Sequence, residues 1–269
     1  MKIIRAVNLL GDSLYLLKPI AEYRMQHPGA VFQIGVMPGF AGDLVRAQFG
    51  KFFVRDMQTL EGEANAIDLS AGRAAHEARI EMIATREHLH ISECYARLLG
   101  VEVDGWQRDF SPLMGWANGA RSDPTMATYT VIAPFSRSCA RHAGMRPNKT
   151  PDLERWGLLI DWLRHIGHKP HVLVGPGEIW PFGGNTVTVE SLPYLIKLLC
   201  GASTVITVDN GIGHIASALG CRTLILWPPV SSVDFIGPIW NKKTTLMYMR
   251  PERIRADQLL RQVQKEIFK

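Results

Sequence analysis

Thr204-Val205-Ile206-Thr207-Val208-Asp209-Asn210-Gly211-Ile212-Gly213-His214-Ile215-Ala216-Ser217-Ala218-Leu219-Gly220 is the stretch on which the reading of this chain turns. Residues 204–208 are all β-branched and read as a buried strand. Ile212 to Leu219 reads as a helix closed by Gly220. Between them, Asp209 stands where ligands of open α/β sheets bind, beyond the carboxyl end of a strand. Asn210 and Gly211 permit a tight turn with close backbone approach. The helix then opens with N–H groups that its own ladder leaves free and with a partial positive charge, which suits a phosphate. His214 lies in the first turn and can point at the same ligand. On spacing alone, a routine strand–helix turn capped by Asp209 fits as well.

Outward from this stretch the same alternation repeats. Downstream, Thr223 to Trp227 is another buried strand and Ile254 to Phe268 an amphipathic closing helix. Upstream, Tyr129 to Pro134 and Pro170 to Val174 read as strands, Leu153 to Ile166 and Ser191 to Cys200 as helices. Asp104 to Thr128 is rich in Gly, Pro, Ser, Asn and Trp without sustained period, and marks a linker. Before it, Lys2 to Leu10 reads as a short strand passing into a loop, and Val31 to Val36 and Lys51 to Val54 as strands. Leu14 to Gln26 and the long stretch Gly72 to Leu99 read as helices, and Asp43 caps a further helix. The pattern predicts two Rossmann-like α/β domains facing across a cleft: residues 1–125, and residues 126–269 with the closing helix.

Hydrophobic residues make up 46% and charged residues 20% of the chain, a globular balance that excludes a disordered protein. The net charge of +5 suits an anionic ligand without requiring one. Cys94, Cys139, Cys200 and Cys221 form no CxxC pair, so zinc spacing is absent, and they fit free thiols in a reducing compartment. His76-Glu77 lacks a second histidine at zincin spacing. No apolar run reaches the roughly 18 residues that span a bilayer, and Met1 to Arg5 runs straight into a strand pattern. These features predict a cytoplasmic protein without an integral membrane segment.

The segment from Ser191 through Ala202, and then Val208 to Gly220, resembles glycosyltransferase family 9, the heptosyltransferases of lipopolysaccharide core assembly. The family pattern is Asp-Ser/Thr-Gly-x-x-His-Leu-Ala-x-Ala-Leu-Gly, and Asn210 stands where Ser or Thr is usual. The resemblance implies the fold called GT-B and a donor diphosphate bound by backbone amides at Asn210, Gly211 and Gly213, with His214 beside it. Asp209 then meets the donor sugar. Val131 to Ser136 resembles the first strand and loop of the donor domain, which brings in Ser136. Val172 to Glu178 resembles the strand whose following carboxylate, here Glu178, holds the donor ribose. The family often carries a Lys two residues before a Trp. Here Glu154 precedes Trp156, and the nearest cations are Lys149 and Arg155, with Arg137, Arg141 and Arg146 upstream; this basic loop fits contact with a diphosphate and a solvated loop equally.

In the first half, Asn8-Leu9-Leu10-Gly11-Asp12-Ser13-Leu14 follows the first strand. The family places Gly-Asp here, with a proline beyond it. Pro19 lies one residue further on than that pattern. The resemblance gives Asp12 the role of general base, and the chemistry agrees, because an acceptor hydroxyl must lose its proton as the glycosidic bond forms. A structural reading, in which Asp12 only stabilises the helix start, competes. His88 to Gly100 resembles the family's acceptor-domain helix before its linker. Gly11-Asp12-Ser13-Leu14 also matches the opening of a serine-esterase family. That reading makes Ser13 a nucleophile but lacks the Asp-x-x-His tetrad it needs near the C-terminus.

The sequence therefore predicts an inverting, metal-independent glycosyltransferase that uses a nucleotide-diphosphate sugar as co-substrate, with no cofactor. The family default for the acceptor is a lipopolysaccharide-type saccharide. The chain is shorter than expected of the family, and small phage enzymes of related design modify hydroxylated bases in DNA. In that alternative Trp106, Phe110, Trp116 and Arg121 stack on or grip the nucleic acid, although packing at a hinge explains them better.

Overall fold

Alternating strands and helices wind into two parallel sheets in this computed structural model, which describes residues 2–6, 9–50, 54–56, 66–103, 117, 129–136, 153–176, 178–228, 233–238, 243–248 and 255–267. The chain divides into two compact units. One comprises Met1–Pro112 with Ser232–Trp240, the other Leu113–Ser231 with Asn241–Lys269. The expected boundary near residue 125 lies outside the described residues.

The first unit runs β1 (Lys2–Ala6), α1 (Leu10–Gln26), β2 (Phe32–Val36), α2 (Phe40–Phe49), β3 (Val54–Asp56), β4 (Ala66–Asp68), α3 (Ala71–Thr85) and α4 (Ile91–Leu99). Its strands lie in the order β3-β2-β1-β4, all parallel where they pair, with Ile4 opposite both Ile34 and Ile67. Ile3, Ile4 and Ala6 are buried although they alternate between faces, as a parallel sheet covered on both sides requires. The chain leaves β1 toward β2 and β3 and returns on the other side as β4. The switch in strand order therefore falls between β1 and β4, at the start of α1.

Three expectations are corrected here. Asp43 does not cap α2, whose N-cap is Gly39; it lies in the first turn, inside the helix. α1 starts at Leu10, not Leu14. Gly11 and Ser13 looked like loop residues, but both are buried, and the Ser13 N–H and hydroxyl each donate to Leu9 O at 3.0 Å. The long helix expected over Gly72 to Leu99 is two. Arg86 ends α3 in the left-handed region at φ 64°, and His90 opens α4 with a capping box. In that box Glu93 Oε2 accepts from the His90 N–H at 2.6 Å. No glycine or proline stands between the two helices to announce the break.

The second unit runs β5 (Tyr129–Ala133), α5 (Leu153–His165), β6 (Lys169–Val174), β7 (Asn185–Thr188), α6 (Leu192–Gly201), β8 (Thr204–Val208), α7 (Gly211–Ala218) and β9 (Thr223–Trp227). The short helix α8 (Val233–Ile236) belongs to the first unit; β10 (Thr244–Tyr248) and α9 (Ala256–Ile267) complete the second. Its sheet is parallel in the order β10-β9-β8-β5-β6-β7. Ile132, Val172, Ile206, Val208, Leu224 and Leu226 from the strands pack with Trp156, Leu159, Ile160, Leu163, Leu259 and Val263 from α5 and α9. From β5 the chain goes outward to β6 and β7, then returns to the other flank of β5 as β8. The switch therefore lies between β5 and β8.

β4, β7 and β10 are strands with no sequence expectation behind them. Each is an edge strand, and none has a buried residue. A strand covered only in part carries neither a continuous apolar run nor a clean alternation.

Candidate functional site

At the switch of the second sheet, β8 ends at Val208 and the chain turns on Asn210 into α7. Asn210 is the N-cap, with φ −151° and ψ 172°. Its Oδ1 accepts from the N–H groups of Ile212 and Gly213, both at 3.0 Å. Its Nδ2 crosses to the loop after β5 and donates to Phe135 O at 2.8 Å and Ala133 O at 3.4 Å. N–H donors on one end and carbonyls on the other fix the amide's orientation. The Thr207 hydroxyl lies 3.0 Å from Asn210 Oδ1 and 3.1 Å from Ala133 O, and the Ser136 hydroxyl donates to Asp209 O at 3.3 Å. One side chain thus caps the helix and ties two strand ends together.

This geometry corrects one expectation. The first-turn amides of Ile212 and Gly213 are not free for a phosphate, because the Asn210 carboxamide occupies them. Sequence reasoning treated Asn210 as a turn former and missed its second hand. Gly213 serves packing. A Cβ there would lie 2.9 Å from Thr207 Cγ2 and 3.1 Å from Ile225 Cδ1, so α7 sits closer to the sheet than any side chain allows. Gly211 is the first residue of α7, at the same turn.

Asp209 and His214 are both buried, at 3% and 5% exposure, with His214 Nε2 3.4 Å from Asp209 Oδ1. The His214 ring meets the Trp227 ring edge to face at 6.2 Å. Trp227, the last residue of β9, supports the histidine and was read from sequence only as core. Glu178 follows β6, on the far side of β5 from β8. Its Oε2 accepts from the Gly175 N–H at 2.5 Å, and its own N–H donates to Gly175 O at 3.0 Å. The carboxylate closes its own turn with one of its two oxygens. The loop beyond is seated by Phe182, whose ring would meet a Cβ on Gly157 at 3.2 Å. Ser136, Asp209, Asn210 and Glu178 thus follow the carboxyl ends of three adjacent strands, β8, β5 and β6. Arg137, Arg141, Arg146 and Lys149 lie outside the described residues, as do Trp106, Phe110, Trp116 and Arg121.

In the first unit, Asp12 is half-buried in the first turn of α1, beside the switch between β1 and β4. Asp68 ends β4 and accepts from the Ser70 N–H at 2.9 Å and its hydroxyl at 3.2 Å. Both carboxylates act on the buried Tyr95 hydroxyl of α4. Burial first, then the charge of Asp12, then Cys94 and Asp68, push that hydroxyl well above its ordinary value. Sequence reasoning missed Asp68 and Tyr95, since neither belongs to a motif. Ser13 is 1% exposed and its hydroxyl donates to Leu9 O at 3.0 Å, the opposite of an accessible nucleophile. No group of three metal-ligating side chains occurs among the described residues.

Two parallel sheets with helices between their strands match the α/β fold of the GT-B type. Residues 188–261, from the end of β7 into α9, match the model of glycosyltransferase family 9 (heptosyltransferase). Escherichia coli heptosyltransferase WaaC with ADP is 17% identical, with 99% of this chain and 100% of that chain covered, at a TM-score of 0.64. E. coli ADP-heptose LPS heptosyltransferase II is 15% identical, with 100% and 99% covered, at a TM-score of 0.64. The iron-containing dodecameric glycosyltransferase TibC from enterotoxigenic E. coli H10407 is 16% identical, with 90% and 61% covered, at a TM-score of 0.57. A comparison with curated proteins finds no match.

Proposed function

We propose that the protein transfers a sugar from a nucleoside-diphosphate sugar to an acceptor hydroxyl, with inversion and without a metal ion. The observation that carries this reading is the β8–α7 junction, where buried Asp209 and His214 meet a helix start at the strand-order switch. The family match spans the same residues.

In this reading the diphosphate lies over the N-terminus of α7 near Gly211. The helix dipole and the basic loop with Arg137 and Lys149 take up leaving-group charge. Asp209, steadied by His214, meets the donor sugar; Glu178 accepts from ribose hydroxyls; Ser136 shapes the turn beside the phosphates. Asp12 removes the acceptor proton. ADP is the favoured nucleotide because WaaC has been solved with ADP and with ADP-2-deoxy-2-fluoro heptose. A lipopolysaccharide-type saccharide is the favoured acceptor, and the cytoplasm, where nucleotide sugars are made, the compartment. No helix among the described residues is long and apolar enough to cross a membrane.

The test is calorimetric titration with ADP and UDP, followed by mass spectrometry of transfer from a panel of nucleotide sugars. ADP binding with transfer that persists in EDTA is expected. No binding of either nucleotide at millimolar concentration refutes the donor site, and activity lost in EDTA and restored by Mg²⁺, Mn²⁺ or Fe²⁺ refutes the metal-free mechanism.

A further inference from the structure

Two buried side chains from different helices converge on one backbone carbonyl, that of Gly237. Tyr15 of α1 is 2% exposed, and its hydroxyl donates to Ile236 O and Gly237 O, each at 3.1 Å. His90, the buried N-cap of α4, places Nε2 3.0 Å from Gly237 O. A carbonyl only accepts, so Nε2 carries the proton and Nδ1 is left to accept from the Ser92 N–H at 3.4 Å, with the Ser92 hydroxyl at 2.7 Å. The two rings meet edge to face at 4.7 Å. The acceptor segment arrives from β9 and leaves for β10, both strands of the second unit, yet its contacts belong to the first. It passes as glycine because a Cβ at residue 237 would lie 2.5 Å from Val233 O and 2.7 Å from Val233 Cγ1.

α1 has a particular use for such a tie. Pro19 sits inside it and lacks the N–H that would bond to the Tyr15 carbonyl in the helical ladder. The N-terminal half of α1 is therefore less supported by its own hydrogen bonds than its length implies. Asp12 lies three residues before Tyr15, close to one turn away on the same face. We propose that Tyr15 and His90 are positioning residues: by pinning the segment Val233–Pro238 against α1 they hold the turn that carries Asp12. The role rests on the reading of Asp12 as the general base.

The pin and the reading beneath it are tested separately in the full-length protein with Tyr15→Phe, His90→Gln and the double variant. Segment-resolved hydrogen exchange reports the pin without any assay of activity. Faster exchange of the 233–238 amides is expected in each variant, and the largest rise in the double variant. Transfer should fall about tenfold in kcat for each single variant, because a small displacement of a reacting group is costly, while ADP affinity stays within about twofold. A merely structural role would lower ADP affinity and thermal stability together with kcat. Unchanged exchange at 233–238 in the double variant overturns the pin. Faster exchange with unchanged kcat overturns the positioning role. A wild-type protein that transfers nothing refutes the function itself, and with it the positioning role, while the exchange result still decides the pin.

Discussion

After β8 the chain turns on Asn210, whose side chain caps α7 and bonds across to the loop after β5. After β1 the corresponding helix has Leu9 as its N-cap, a side chain that caps nothing, and Asp12 stands half-buried in the first turn. Both turns lie at a switch in strand order. One is closed by its own hydrogen bonds; the other keeps a carboxylate partly open to solvent. A site for a constant donor gains from being preorganised, whereas a base must reach a proton on an incoming acceptor.

The largest effect is expected at the open turn. Asp12→Asn should lower kcat by about a hundredfold or more, or about 2.7 kcal/mol in the barrier, with ADP affinity near wild type. Ser13→Ala, which removes only a hydroxyl bonded to Leu9 O, should keep most activity. If Asp12→Asn transfers normally while Ser13→Ala is dead, the esterase reading revives. Melting curves of both variants separate lost chemistry from a lost helix start.

The two units should also respond to opposite ends of the pH scale. Burial, then Glu93, raises the Cys94 thiol of the first unit from 9.0 to about 11. A raised acid contributes stability that is fully present below 9.0 and is lost as pH climbs through about 11, a change of about 2–3 kcal/mol. Burial, then Lys169, lowers the His171 imidazole of the second unit, which stacks on Tyr129 at 4.5 Å. A lowered base contributes stability present above 6.5 and lost as pH falls through its folded value. Urea midpoints across pH should flatten on the alkaline limb in Cys94→Ala and on the acid limb in His171→Phe. Exchanged effects would break the assignment of each limb to its unit.

Packing separates the two units next. Gly213→Val places a branched side chain where a single Cβ already meets Thr207 at 2.9 Å, and should cost about 1–3 kcal/mol and weaken ADP binding. Gly72 in α3 has nothing within 4 Å of its Cβ position, so Gly72→Ala should be neutral or slightly stabilising. Thermal melts of the pair measure the difference directly, and a harmless Gly213→Val would show that α7 is free to move off the sheet.

The β8–α7 junction was legible because a buried parallel strand writes itself as an unbroken β-branched run; the offsets of Asp, Gly and His alone left a routine capped turn equally open, and only the resemblance favoured a site. The switch between β5 and β8 followed from element order. What stayed hidden depends on contacts distant in sequence. The bonds from Asn210 to the loop after β5 span about as much chain as a small domain, and nothing local in Asn210-Gly211 announces them. The excursion of residues 233–238 to Tyr15 and His90 spans more still. Ser13 looked like a loop residue because its hydroxyl satisfies a helix carbonyl, which propensity does not record. The break at Arg86 was hidden because no glycine or proline stands between Thr85 and Ile91 to mark it.

The smallest effect tests the closed turn and separates its two functions. Asn210→Thr, close to the family's usual residue, keeps an oxygen that accepts from the first-turn N–H groups but loses the Nδ2 that meets Phe135 O and Ala133 O. Asn210→Asp keeps the better cap of the two and replaces that donor with a carboxylate oxygen facing the same carbonyls. If capping were all that Asn210 does, Asp would match or exceed Thr in stability. If the tie across the switch matters, Thr should cost about 1 kcal/mol and Asp more, because it adds repulsion where Thr only removes a bond. ADP affinity should follow the same order with a wider gap, since the Asp charge also opposes the diphosphate. Denaturant unfolding and ADP titration of the two variants give the order directly, and Asp ranking above Thr in both would reduce Asn210 to a helix cap.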